Sequence, residues 1–175
     1  MEVKPLTVLA ELQKKKYHPL YFLHGEESYY MDLISEYAKD HILTKPEAAF
    51  NLTVMYGKDT SLASVLSSAK RFPMLAPYQV IVVKEAQMLS DFSKAEGESI
   101  FEKYLEKQVP SSIVIFCYKN KALDKRKTIT KKIAEKSILV PCTKISEYKV
   151  SEWIQEYVAQ KKLKIHPETA HLLAD

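Results

Sequence analysis

The chain has 175 residues, 46% of them apolar and 27% charged, a composition that excludes a disordered or low-complexity polypeptide. Its 26 basic and 22 acidic side chains give 26 − 22 = +4, which tolerates an anionic partner but falls short of the lopsided charge of a dedicated nucleic-acid module. Two cysteines, Cys117 and Cys142, exclude a disulfide framework; with no basic-then-apolar leader and no apolar run near the ~20 residues of a membrane span, a reduced, cytoplasmic protein is expected.

Short β-branched or aromatic runs alternate with helical periods over residues 1–145, the pattern of a parallel α/β sheet. Leu20, Tyr21, Phe22, Leu23 and His24 form a nearly continuous apolar run ended by Gly25, as suits a central strand covered on both faces. Tyr30, Leu33, Ile34, Tyr37 and Ile42 recur at helical spacing, and Pro46 is expected to close that helix. Residues 52–56 predict a second strand, ended by Gly57. Asp59, Thr60 and Ser61 each qualify as cap for a helix carrying Leu62, Val65, Leu66 and Ala69, which Pro73 stops. Residues 80–83 predict a third strand, and Ile100, Phe101, Tyr104 and Leu105 the helix after it. A fourth strand over 113–117, a basic helix over 125–136 and a fifth strand over 138–140 complete the series. Right-handed crossovers turn this into a three-layer, five-stranded parallel sheet. Beyond Ser146 the pattern is helical only, with Val150, Trp153, Ile154, Tyr157 and Val158 on one face and a further helix opening at Pro167. The expected organisation is an α/β domain over 1–145 and the beginning of a small helical domain over 146–175, truncated at Asp175 inside its last helix.

In open parallel sheets ligands sit beyond the carboxyl ends of the strands, commonly at the first strand–helix turn. A phosphate-cradling loop there needs several glycines and a lysine facing the anion. This chain has three glycines in all, and its first turn, Gly25, Glu26, Glu27 and Ser28, offers one of them, no lysine, and two carboxylates expected in the first helical turn. The turn reads as a degenerate nucleotide site, with Glu26 and Glu27 complementing the helix dipole instead of holding a cofactor. After the third strand, Lys84 and Glu85 stand where a Mg²⁺-holding acid would be and read as a surface pair. His24 and His41, like His166 and His171 in the tail, are scattered, and the two cysteines lie on or beside strands as small core residues. No catalytic residue, metal or cofactor is expected.

Two features are less ordinary. The connection Phe72, Pro73, Met74, Leu75, Ala76 and Pro77 lies in a stretch with no charge between Arg71 and Lys84. Prolines brace both ends, so the loop is built either as an exposed, pre-organised hot spot or as core folded back under the sheet; the residues leave both open. The other is Asp124, Lys125, Arg126 and Lys127, followed by Lys131 and Lys132. Asp124 qualifies as a helix cap, yet three cations in a first turn oppose the dipole by roughly 0.3–1 kcal/mol each. Such a helix either presents cations to a nucleic-acid backbone or is simply solvated.

The run from Leu20 to Glu27, the stretch from Pro73 to Val83, and the segment from Ile115 to Asp124, Lys125, Arg126 and Lys127 together resemble the delta subunits of the bacterial DNA polymerase III clamp loader, in register from about residue 18 onward. The resemblance implies an AAA+/RecA-like first domain, a P-loop NTPase fold without its P-loop, then a helical lid domain, with the family's collar domain absent. It implies a non-catalytic subunit of the polymerase holoenzyme that binds the ring-shaped sliding clamp, releases one of its interfaces, and lets primed DNA enter during replication. Its partners would be the clamp and the other clamp-loader subunits, with no membrane involved. The family's clamp-binding wedge, an apolar pair at the end of the second helix, falls on Met74 and Leu75, supported by Phe72. Methionine replaces a bulkier residue, and Pro77 and Tyr78 replace polar ones. Lys125, Arg126 and Lys127 match the family pattern in position, and their charge marks them as DNA contacts. The alternatives are a doubly wound transferase binding nucleotide near Gly25 and a basic single-stranded nucleic-acid binder using residues 125–132.

Overall fold

The computed structural model describes residues 2–144, 146–160 and 162–174. They fall into two units, Met1–Cys142 and Thr143–Asp175. In the first unit β1 (Leu20–Gly25), β2 (Leu52–Tyr56), β3 (Gln79–Lys84), β4 (Ser112–Lys119) and β5 (Ile138–Pro141) pair in the order β2-β3-β4-β1-β5. Every pairing is parallel, with Leu20 opposite Val114, Tyr21 opposite Ile138, and Val80 opposite both Leu52 and Ile113. The central strands β1 and β4 have neighbours on both sides and are buried almost throughout, which is why their sequences are unbroken apolar runs.

Alternation along these strands divides two apolar layers. Leu20, Phe22, Ile81, Val83, Val114, Phe116 and Leu139 face α4 (Leu62–Ala69), α5 (Ala95–Glu106) and α6 (Thr128–Lys136). Phe22 centres that layer, its ring 5.5 Å from Phe116 and 5.8 Å from Phe92. The intervening residues, Tyr21, Leu23, Val80, Val82, Ile113, Ile115 and Cys117, are buried toward α1 (Pro5–Gln13) and α2 (Ser28–His41). The fold is therefore the three-layer α/β sandwich expected.

Several boundaries differ from expectation. Helix α1 was not anticipated, although Pro5 in its first turn and buried Val8, Leu9 and Leu12 spell it out. Pro46 does not close α2. It sits in the first turn of a separate helix, α3 (Lys45–Asn51), where a missing N–H costs nothing, and Thr44 and Glu47 form that helix's capping box. Of the three candidate caps for α4, Ser61 serves, accepting from the Ser64 N–H at 3.2 Å. The basic helix starts at Thr128, not 125.

In the second unit α7 (Val150–Gln160) stacks Trp153 on Tyr157 with centroids 5.3 Å apart, and Ala170 of α8 (Pro167–Leu172) is buried. Helix α8 closes at Leu172, with the Leu173 N–H donating to Thr169 O at 3.1 Å; Asp175, where a truncated helix was expected, lies outside the described residues. No helix among the described residues is long and apolar enough to cross a membrane.

Candidate functional site

The connection from α4 to β3 leaves at the amino end of the sheet and is exposed. Leu75 is 99% exposed, Phe72 81% and Met74 58%, so the alternative of a loop folded back as core does not hold. The apolar pair is not on the helix either: α4 stops at Ala69, and Met74 and Leu75 stand on the loop beyond it. Leu75 has φ +51°, in the left-handed region that costs a side-chain-bearing residue about 1–2 kcal/mol.

Buried amides hold this loop in place. Asn51, at the end of α3, accepts the Met74 N–H at Oδ1 (2.7 Å) and donates from Nδ2 to Met74 O (2.8 Å) and Glu47 O (3.0 Å). Gln79, at the start of β3, donates to Arg71 O and to Ser112 Oγ, and Ser112 donates on to Ala69 O at 2.6 Å. At the other end of α4, the Asp91 carboxylate accepts the N–H groups of Leu62 (2.6 Å) and Ala63 (3.1 Å). A Cβ on Gly97 would lie 2.0 Å from Asp91 O, so only glycine lets α5 approach the loop that places this carboxylate. Helix α4 is thus clamped at both ends and carries its apolar tip on a fixed base.

The opposite, carboxyl end of the sheet is closed on itself. Gly25 has φ +137°, and a Cβ there would meet Cys142 O at 2.1 Å. Cys142 O accepts the Glu27 N–H (3.0 Å), and its N–H donates to His24 O (2.7 Å). Glu27 is the cap of α2 and accepts the Tyr29 N–H at 3.0 Å, so Glu26 and Glu27 precede the first helical turn instead of lying in it. A carboxylate of the chain itself already holds the position an anion takes at a helix N-terminus. His24 is buried, accepts the Leu123 N–H at Nδ1 (3.2 Å) and has no partner for Nε2 among the described residues. Burial pushes its pKa below the ordinary imidazole value, Lys125 adding to and Glu2 opposing the shift. Lys84 pairs with Glu36 of α2 at 2.7 Å, not with Glu85, and Lys119 pairs with Asp32 at 3.1 Å. Burial raises both thiols, Cys117 and Cys142, to about 12, which suits core residues and not nucleophiles. Among the described residues no group of three or more His, Cys, Asp or Glu is arranged to hold a metal.

The basic run is also at the carboxyl end, in the turn before α6. Asp124 does not cap the helix because Arg126 captures it: its Oδ1 accepts the Arg126 backbone and Nε–H groups and its Oδ2 the Nη2–H, all at 3.0 Å, and this holds Asp124 down at about 2. The cations therefore sit outside the first helical turn and escape the dipole penalty expected of them. Lys125 pairs with Glu2 at 2.8 Å and Lys127 with Glu98 at 3.6 Å. Farther along α6, Lys132 and Lys136 reach Glu102 and Glu106 of α5 at 2.8 and 3.3 Å. Three of these cations, Lys127, Lys132 and Lys136, thus face carboxylates of α5, while Lys125 and Arg126 pair with Glu2 and Asp124.

The geometry is that of a parallel α/β sandwich whose first strand–helix turn is bonded to Cys142, and the sequence matches a known family. The profile of the DNA polymerase III delta subunit covers residues 21–143. The chain belongs to that family. It is 22% identical over 170 residues to DNA polymerase III subunit delta of Bacillus subtilis, covering 95% of this chain and 49% of that one. The DNA clamp loader delta protein of Bacillus subtilis superposes with a TM-score of 0.84 at 22% identity, over 97% of this chain and 51% of its own. A gamma-subunit-related DNA polymerase III protein of Thermotoga maritima shares the fold at a TM-score of 0.53 and 13% identity, over 97% of this chain and 58% of that one. The chain thus spans about half the length of the delta relatives it matches.

Reading the sequence located the tip but not what fixes it. Asn51 and Asp91 act on residues 23 and 28–29 positions away, and no local pattern marks such pairs.

Proposed function

We propose that this member of the delta family is a non-catalytic clamp-loader subunit that docks on the sliding clamp through Met74 and Leu75, with Phe72 beside them. One observation carries the reading: a leucine whose side chain touches almost nothing is held in a left-handed backbone conformation by buried hydrogen bonds at its base. Strain kept where it brings no packing is strain kept for something outside the molecule. Exposed apolar side chains on a pre-organised loop enter a partner's pocket at little entropic cost, each contributing about 1.5–3 kcal/mol when buried. A subunit that binds the open ring better than the closed one shifts the ring toward opening, and the tip supplies the grip through which that difference acts. DNA then enters the opened ring, and the assembled loader, not this chain alone, performs the loading.

The closed carboxyl end supports a subunit that does not use ATP itself. The backbone N–H of Glu27 is taken by Cys142, the helix N-terminus is capped from within, and the turn from Gly25 to Ser28 itself contains neither a lysine nor a second glycine. The second unit is read as the beginning of the family's lid domain, and the cytoplasm as the place of action. Lys125, Arg126 and Lys127 are offered as DNA contacts of the assembled loader, where phosphates would replace Glu2, Asp124 and Glu98 as their partners. The test is binding of the 175-residue chain to a purified bacterial sliding clamp at low and high salt. Binding is expected to survive the higher salt and to be lost when Met74→Ala and Leu75→Ala are combined, with the melting temperature unchanged. Binding that disappears with salt, or a double variant that binds normally, contradicts the proposal.

A further inference from the structure

We propose that the docking face has a second anchor on another element, Phe50 of α3, and that this aromatic enters the same partner, the sliding clamp, alongside the tip. The inference rests on the reading of Met74 and Leu75 as the clamp-docking pair. Phe50 is 70% exposed, an unusual state for a phenylalanine. Its neighbour Asn51 is buried and takes both backbone groups of Met74, at 2.7 and 2.8 Å, as one strand takes another. That pair of bonds fixes where Phe50 stands relative to Met74. The two segments also rise from the same end of the sheet: α3 runs into β2, the tip runs into β3, and Leu52 lies opposite Val80 in the ladder.

Four large apolar side chains, Phe50, Phe72, Met74 and Leu75, therefore share one end of the molecule, each more than half exposed. Single exposed apolar residues are ordinary, whereas a cluster assembled from two segments and stapled by a buried amide marks an interaction face. Lys70 and Arg71, both exposed at the base of the tip, favour a partner whose apolar cleft is rimmed by carboxylates. Asn51 then has a positioning role: it sets the spacing between the two anchors.

The affinity of the chain for a purified bacterial sliding clamp is measured for the parent and for Phe50→Ser, Phe50→Leu and Leu75→Ala, with a melting curve for each. Phe50→Ser is expected to weaken binding about tenfold or more, in line with the loss of one buried aromatic side chain, while Phe50→Leu retains most of the affinity. Neither change should move the melting temperature, because the side chain is exposed. If Leu75→Ala abolishes binding and Phe50→Ser does not, the second anchor is wrong and the reading of the tip stands. If neither variant weakens binding, both fall. If Phe50→Ser leaves clamp affinity unchanged but removes concentration-dependent self-association in sedimentation, the face belongs to a second copy of this chain and the inference is overturned.

Discussion

The two ends of the parallel sheet have been put to opposite uses. At the carboxyl end, where this architecture ordinarily receives a nucleotide, the chain binds itself: Cys142 bridges His24 and Glu27, Glu27 caps α2, and Leu123 donates to His24. At the amino end, which usually only turns the chain around, a charge-free loop is braced from below by Asn51 and Gln79 and left uncovered above. The same economy of polar bonds closes one end and opens the other. A fold does not carry its function with it, and on the proposed reading the working surface of this scaffold is its amino end.

The sharpest way to break this contrast is at Gly25. Replacing it with valine puts a Cβ at 2.1 Å from Cys142 O on a backbone at φ +137°, so Gly25→Val is expected to lose at least about 3 kcal/mol in urea unfolding. A well-folded Gly25→Val would mean that the carboxyl end is loose enough to admit a ligand. Next in size is Asp91→Ala, which removes two charge-assisted bonds to the N-terminus of α4 and should cost about 1–3 kcal/mol by the same measurement.

The pH dependence of stability sharpens the contrast at His24. Its folded pKa lies below the ordinary imidazole value of about 6.5, so the unfolded chain takes up the proton first. The contribution of neutral His24 is complete above that value and is lost as pH falls from there toward the folded pKa, with a slope of at most about 1.4 kcal/mol per pH unit. His24→Asn keeps an acceptor for the Leu123 N–H and should flatten this acid slope in chemical unfolding at pH 7.5, 6.5 and 5.5. An unchanged slope would place the proton uptake on another group.

Much of this was legible in the sequence, for reasons that differ by element. The strands stood out because β1 and β4 are covered on both faces and are apolar over residues 20–23 and 113–117. The tip stood out because twelve residues from Phe72 to Val83 carry no charge. Helix α3 was hidden by Pro46, whose two roles, ending one helix and beginning another, look alike until Thr44 and Glu47 are read as a pair. The ion pairs of the basic segment were not legible, because Glu2 and the α5 carboxylates Glu98, Glu102 and Glu106 that meet Lys125, Lys127, Lys132 and Lys136 lie far away in sequence. Asn51, Asp91 and Gln79 were invisible as supports, since their bonds join segments that only the folded sheet brings together.

A small expected change in stability goes with a large expected change in function at Leu75. Leu75→Gly relieves the left-handed strain while freeing the unfolded chain, so stability should stay within about 1 kcal/mol of the parent and not fall below it. The decisive measurement is the affinity of Leu75→Gly for the purified sliding clamp, with urea unfolding on the same sample. Lost binding in a chain at least as stable as the parent is the expected result. Parental affinity without the Leu75 side chain would contradict the assignment of the amino-end tip as the docking site.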